Sequence, residues 1–284
     1  MEKIRKRNRT LSVRKEHKML IKREIVGRTG KFANDKKIIA HKNDNATVKV
    51  AKFIGKFAIK VAKFIVGFKS MTSQRCAREI MGQNMFGVEE AAKYFGINCT
   101  RRQAIALSRI PFSKTKLEKC KETHILVAVL PLSIMEIIDK KTELFYCQSW
   151  YNEETFANDP GKAGWQLILK TPVDDSESKA WKEQQSLLSS DEEVPSTRVM
   201  VYSIIGHFLS TGERLFENIY VRCLDKVSDG CCSVEVGDFG ETRDFSEVKN
   251  FKAEGLSINL SWNDIPYGYL GVASAMKSET GTKK

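Results

Sequence analysis

Between Asn259 and Tyr269 the chain gathers Trp262, Tyr267 and Tyr269 among Asn259, Ser261, Asn263 and Asp264, a set suited to recognition rather than bond-making. Tyrosines give large rigid contact area at low side-chain entropy cost, and short amides, hydroxyls and carboxylates give adaptable hydrogen bonds. Gly268, with no Cβ, lets the backbone bend between the two tyrosines. Two readings of the same residues stand side by side: a display loop that grips a partner, or a polar turn whose tyrosines cover a core edge.

Catalytic chemistry has few candidates. The chain holds no G-x-x-x-x-G-K-[ST], no G-x-S-x-G and no H-E-x-x-H. Its seven cysteines form no C-x-x-C pair and only four histidines accompany them, so no four-ligand zinc set assembles. The odd cysteine count and the lack of a signal peptide fit a reducing cytoplasm, the expected compartment. Cys231 and Cys232 are expected to be strand neighbours facing opposite sides, with a strained vicinal disulfide or a soft-metal site as the alternative. His124 reads as a structural histidine at a strand edge. Asp174-Asp175 and Asp191-Glu192-Glu193 fall where solvated loop or helix-start carboxylates are usual. No catalytic residue, metal or cofactor is expected.

The net charge of +12 is unevenly placed. Residues 1 to 70 carry 21 Lys and Arg against 5 Asp and Glu, and the rest carries 26 against 30. Attraction to an anionic membrane or to nucleic acid therefore belongs to the first seventy residues. The opening run is basic and poor in hydrophobes, which resists compaction. Residues 48 to 68 differ, because VKVAKFIGKF is followed by IKVAKFIVGF eleven residues on, a repeat that keeps step with an α-helix. On a helical wheel Lys49, Lys52, Lys56, Lys60 and Lys63 fall within an arc of about 80°, and Phe53, Phe57 and Phe64 with Ile54, Ile65, Val50 and Val61 occupy much of the rest. Such a helix suits a membrane interface, and its spaced lysines oppose a spanning segment. The other readings are packing or self-association of that helix, and a reading frame opened upstream of a start at Met71.

Gly87 to Ser113 has the outline of a helix-turn-helix: Val88 to Phe95, a turn at Gly96, a cap at Asn98 or Thr100, then Arg101 to Leu107. It resembles small excisionase-type and regulator-type DNA-binding modules, which would aim Thr100, Arg101, Arg102 and Gln103 at a major groove. Ordinary helical packing explains the same pattern. Residues 71 to 146 are only mildly basic, 12 against 8.

The remaining elements follow from caps and periodicity. Thr72 or Ser73 caps a helix to Met81, and Lys114 to Glu122 follows a Ser113 cap. His124 to Pro131 reads as a buried strand, Leu144 to Trp150 and Trp165 to Lys170 as two more. Asp174 to Ser190 reads as a capped helix, and Arg198 to Ser210 as a longer one. From Tyr220 onward short strands meander, with Leu256, Ile258 and Leu260 alternating against Ser257, Asn259 and Ser261. The plan is α+β: a helical part, then a mixed body whose final half is short strands and loops. The expected organisation is a basic segment 1–70, a helical segment 71–146, a ligand-display region 147–277 and a tail 278–284.

The run Trp262-Asn-Asp-Ile-Pro-Tyr-Gly-Tyr-Leu-Gly-Val272, with Val221-Arg-Cys-Leu-Asp, Val234-Glu-Val-Gly-Asp-Phe and Ala253-Glu-Gly-Leu-Ser-Ile-Asn before it, carries a resemblance. Strands, two helices and an Asn/Asp/Tyr-rich turn before a Leu-Gly-Val strand resemble the C-type lectin-type fold of diversity-generating retroelement variable proteins. The chain is also similar to uncharacterised bacterial and phage-associated proteins, over roughly residues 72 to 277. The resemblance implies that the last strands and loops hold variable residues. It points to Asp238, Glu241 and Arg243 beside the Asn259 to Tyr269 loop as ligand-binding positions. Formylglycine-generating enzymes share that fold and use cysteines, yet adjacent Cys231 and Cys232 have no third partner. The expected function is a non-enzymatic protein that binds a protein or surface ligand. The alternatives are a DNA-associated protein of a mobile element or a membrane-surface protein.

Overall fold

The computed structural model describes residues 71–146, 148–227, 230–240 and 255–279. The candidate membrane helix with Lys49 to Phe64, Glu241, Arg243 and residues 280–284 lie outside the described residues.

Side-chain caps start most helices. After β1 (Thr72–Ser73), the Ser73 hydroxyl accepts from the Cys76 amide and opens α1 (Gln74–Met81). β2 (Met85–Phe86) leads into α2 (Val88–Phe95), which stops where Gly96 turns left-handed at φ 65. Thr100 and Gln103 then bond reciprocally, amide to side chain in both directions, to open α3 (Arg101–Leu107). β3 (Arg109–Ile110) pairs antiparallel with β1, and Ser113 caps α4 (Lys114–Cys120). Every residue of β4 (His124–Val129) is buried, as its continuous apolar run requires. The Ser133–Glu136 capping box opens α5 (Ile134–Lys140), a helix not anticipated above although its S-x-x-E signal stands in the sequence. The short α6 (Thr155–Asn158) precedes β5 (Gly164–Leu169).

Two expected elements differ. Leu144 to Trp150 is not a strand: a tight turn over Thr142–Leu144 is followed by one bridge, Phe145 to Leu256. The helix expected from Asp174 starts only at α7 (Trp181–Leu187). Asp175 and Ser178 hold φ of 57° and 55°, values that end any right-handed helix before it begins. β6 (Glu192–Glu193), α8 (Thr197–Thr211), β7 (Tyr220–Lys226), β8 (Cys232–Gly237), β9 (Ser257–Trp262), β10 (Leu270–Val272) and β11 (Ala275–Met276) complete the chain.

The architecture is α+β. A five-stranded sheet runs β2-β4-β5-β11-β6 and a four-stranded sheet runs β10-β7-β8-β9. β4 and β5 pair antiparallel from His124–Leu169 to Val129–Gly164, so the segments on either side of residue 147 share one sheet. Helix α8 joins the sheets. Thr197 and every residue from Val199 to His207 are buried, as expected of a helix apolar on all sides. It packs on β2, β4 and β5 of one sheet, on β7 and β8 of the other, and on α2 and α5. At its end the Glu213 carboxylate accepts from His207 Nε2 (2.8 Å) and Lys170 Nζ (2.9 Å), tying α8 to the end of β5. Among the described residues no helix is long and apolar enough to cross a membrane.

Gly206 of α8 lies against the Phe86 ring of β2. A Cβ there would lie 3.1 Å from the Phe86 ring, which is itself held by the rings of Tyr94, Phe95 and Tyr202. Alanine gains about 1 kcal/mol of helix propensity, but overpacking costs about 1–3 kcal/mol. Gly206→Ala is expected to lower stability by about 1 kcal/mol in urea unfolding. A variant as stable as the parent would mean that the Phe86 ring gives way.

Candidate functional site

Strand alternation sorts the four-stranded sheet into two faces. Val221, Cys223, Val234, Val236 and Ile258 are buried in the main core on one face. Tyr220, Arg222, Ser233, Glu235, Ser257, Asn259 and Ser261 fall on the other. That polar face is not open to water along β9: Ser257 and Ser261 are buried, while on the apolar face Ile258 is buried and Leu260 and Trp262 are exposed. Over Arg222 lie the segment before α7, Gln184 of α7 and the β9–β10 loop, residues 263–269, while Gln148 meets Asn259.

Arg222 holds those pieces together. Its side chain is fully buried and donates five hydrogen bonds, matching the five N–H groups of a guanidinium. Nε donates to Ser261 Oγ (3.0 Å), Nη1 to the Lys179 carbonyl (3.2 Å) and Gln184 Oε1 (2.9 Å), and Nη2 to the carbonyls of Trp262 (2.8 Å) and Ile265 (3.0 Å). Its guanidinium carbon lies 5.9 Å from the centre of the Tyr267 ring. Across β7 and β8 it is opposite Glu235, only 2% exposed. Burial pushes the Glu235 carboxyl up to about 7, against the opposing pull of the Ser261 hydroxyl and the Arg222 charge. Glu235 Oε2 has no hydrogen-bond partner among the described residues. Arg222 itself is held below its usual range, first by burial.

The loop's carbonyls turn inward and many of its side chains turn out. Besides the two carbonyls on Arg222, Asn263 O accepts from the Trp181 amide (2.9 Å), Tyr267 O from Ser178 (3.0 Å) and Tyr269 O from Tyr220 (3.0 Å). Gln184 Nε2 donates to Leu270 O (2.9 Å). Trp262 is 55% exposed, Tyr269 49% and Ile265 45%, and Asp264, Pro266 and Gly268 are exposed as well. The Tyr269 ring leans on Tyr220 (5.9 Å between centres) and on Tyr267 (5.4 Å).

The candidate ligand-binding residues divide accordingly. Trp262, Asp264 and Tyr269 are outward. Tyr267 is half-buried over Arg222. Asn259 is half-buried, its amide donating to the Tyr220 hydroxyl (3.1 Å) and accepting from Gln148 (2.9 Å). Asp238 is half-buried beside the same hydroxyl, 3.4 Å away, and burial pushes Tyr220 up to about 12. Ser261 and Asn263 serve the frame: Ser261 is buried on Arg222, and Asn263 binds the Gly230 carbonyl and the Ser233 hydroxyl. Display chemistry was expected of both, yet short polar side chains next to a buried cation and a strand end satisfy the interior first.

Sequence reasoning missed Arg222, Glu235, Tyr220 and Gln184. The available signal was one arginine amid the apolar run Tyr220-Val-Arg-Cys-Leu224, a charge that a covered strand keeps only when every donor is met.

Elsewhere, the two helices around Gly96 form with the expected bounds, but α2 packs chiefly on α8 and β2, and α3 on β3 and β5. Arg101 and Arg102 are exposed, while Thr100 and Gln103 use their side chains to cap α3. His124 is buried with Nδ1 on Thr123 Oγ1 (2.8 Å), and burial lowers its basicity. Cys231 and Cys232 do not face opposite sides: β8 starts at Cys232, Cys231 sits in the preceding bend, and the sulfurs lie 3.5 Å apart. A cavity of about 530 Å³ lies between α1, α2 and the end of α8, remote in sequence from the loop and partly lined by the Arg78–Glu90 ion pair (2.7 Å). No protein-family model, curated protein or solved structure compared with the chain matches it.

The buried pair generates two expectations. Glu235 binds its proton more tightly folded (about 7) than at its ordinary value of 4.5. It therefore favours folding below about pH 4.5, and that contribution, on the order of 3 kcal/mol, is lost as pH rises through about 7. Glu235→Gln should flatten the fall in urea stability between about pH 5 and about pH 8 and exceed the parent at the alkaline end. An unchanged pH slope would mean the carboxylate is already solvated. Arg222→Lys keeps the charge but supplies three donors for five acceptors. It should cost about 2–4 kcal/mol, with hydrogen exchange rising first at residues 262–270.

Proposed function

We propose that this chain is a non-enzymatic binding protein that presents Trp262, Asp264, Ile265 and Tyr269, on a loop fixed from beneath, to a macromolecular partner. The observation that carries the reading is the division of labour within the loop. Its backbone carbonyls are consumed by Arg222 and by the amides of Trp181, Ser178 and Tyr220, so its conformation does not depend on the outward side chains. A surface whose shape is fixed before contact loses little entropy on binding. Two aromatics and an isoleucine, each near half exposure, supply anchors of the kind that dominate interface energetics, with Asp264 as a polar neighbour. Leu260, also exposed at 42%, lies two residues from Trp262 on the same face of β9.

The resemblance to the variable proteins of diversity-generating retroelements supports the same reading, because it assigns changeable residues to this stretch. Within that proposal the outward positions are the ones free to vary, and Ser261, Asn263 and Arg222 are not.

A surface-display library tests this directly. Randomising Trp262, Asp264, Ile265 and Tyr269 together should leave most members folded, and selection on immobilised hen lysozyme should yield binders. Randomising Ser261 and Asn263 should instead abolish folded display. A first library that is mostly unfolded, or one that is folded but yields no binder, would overturn the proposal.

The exposure of Arg101 and Arg102 on α3 favours a second reading, nucleic-acid association. It requires that a gel shift with duplex DNA be lost in the Arg101→Ala, Arg102→Ala double variant of the full chain. Binding that persists in that variant would assign any affinity to other basic residues.

A further inference from the structure

The sharp turn into β8 places two thiols side by side next to the loop's root. The Sγ atoms of Cys231 and Cys232 are 3.5 Å apart, against about 2.05 Å in a bonded pair. Cys231 is half-buried and Cys232 is 7% exposed, so reagents reach Cys231 first. Burial pushes the thiols of Cys120 and Cys223 up, which makes both poor competitors.

The peptide between the two cysteines is also a contact point of the loop. The Cys231 carbonyl accepts the Asn263 amide (3.0 Å). The Asn263 side chain donates to the Gly230 carbonyl (3.1 Å) and accepts from the Ser233 hydroxyl. Cys232 is the register partner of Trp262. Asn263 is thus tied at three points to residues 230–233, and Trp262 and Asp264 flank it.

We infer that Cys231 and Cys232 form an oxidisable dithiol, a modification site for low-molecular-weight disulfides, whose closure releases Asn263 and shifts the root of the β9–β10 loop. In the first step the Cys231 thiolate attacks one sulfur of the small disulfide. A Cys231 mixed disulfide forms, and the departing thiolate takes up a proton equivalent to the one Cys231 lost. In the second step the Cys232 thiolate attacks Cys231 Sγ and expels the other half as a second thiol. The protein loses two electrons and two protons, and the small disulfide is reduced to two thiols.

Closure cannot leave the backbone as it is. Adjacent Cα atoms stand only about 3.8 Å apart across a trans peptide, short of the roughly 4.4–6.8 Å that a relaxed disulfide spans. The peptide unit between the cysteines must twist, and its carbonyl turns away from the Asn263 amide. Strain also makes the bond easily reduced, which suits reversible control better than a permanent staple. The inference goes beyond the proposed binding role and stands whether or not the loop's partner is found.

The full chain, reduced and then treated with oxidised glutathione, provides the test. Peptide mapping by mass spectrometry should find a Cys231–Cys232 disulfide, and hydrogen exchange at the Asn263 amide should quicken about tenfold. Dithiothreitol should reverse both. Cys232→Ser, which lacks the resolving thiol, should accumulate glutathione on Cys231 and leave the exchange near its reduced value. Glutathione that stays on Cys231 in the parent chain would overturn the dithiol assignment. A disulfide that forms without any change in exchange at residues 262–264 would overturn its coupling to the loop.

Discussion

Arg222 is a fully buried cation whose five N–H groups all find oxygen, four of them outside its own strand and β9's side chains, and the candidate surface exists because of that arrangement. A guanidinium removed from water is tolerated only when its donors are met with good geometry. Here the acceptors are carbonyls and an amide from pieces of chain far apart in sequence, near residues 179, 184, 262 and 265. Satisfying one side chain therefore folds two irregular segments against a regular sheet. Glu235, opposite on β8, moderates the positive charge without neutralising it outright, because its own burial favours the protonated form near neutral pH.

The rest of the fold supplies a rigid floor for that cation. Helix α8 is apolar on nearly every side, which is stable only if every side is covered, and the two sheets and the flanking helices cover it. β7 and β8 pack on α8, with Val221, Val234 and Val236 in the shared core, fixing the sheet whose other face carries Arg222. At the outer edge of β9, Trp150 Nε1 donates to the Ile258 carbonyl (3.1 Å), covering part of a strand edge that would otherwise invite pairing. The loop can thus be irregular without being loose. Its side chains are released from any structural duty that its carbonyls already perform.

The same economy explains why the dithiol and the loop meet. β8 begins at Cys232, so Cys231 escapes the alternation that would have sent the two thiols to opposite faces, and its carbonyl is left to receive Asn263. A local irregularity of one residue converts two ordinary strand cysteines into neighbours. It also routes their chemistry into the backbone beside Trp262.

Much of the fold was legible from local signals. Caps at Ser73, Thr100 and Ser113, the stop at Gly96, the apolar run of β4 and the alternation in β9 act within a few residues and fixed their elements wherever they occurred. Two positive-φ residues, Asp175 and Ser178, defeated the helix expected before Trp181, since nothing in their side chains announces a conformation imposed by the loop they meet. In the site, residue types alone show that aromatic and short polar side chains crowd the stretch from Asn259 to Tyr269. Which of them face water follows from long-range packing. Ser261 and Asn263 turned inward and Trp262 and Tyr269 outward because the choice depends on where a buried arginine and the turn at Gly230 to Ser233 offer unmet hydrogen-bonding groups, and those arrive from residues dozens of positions away.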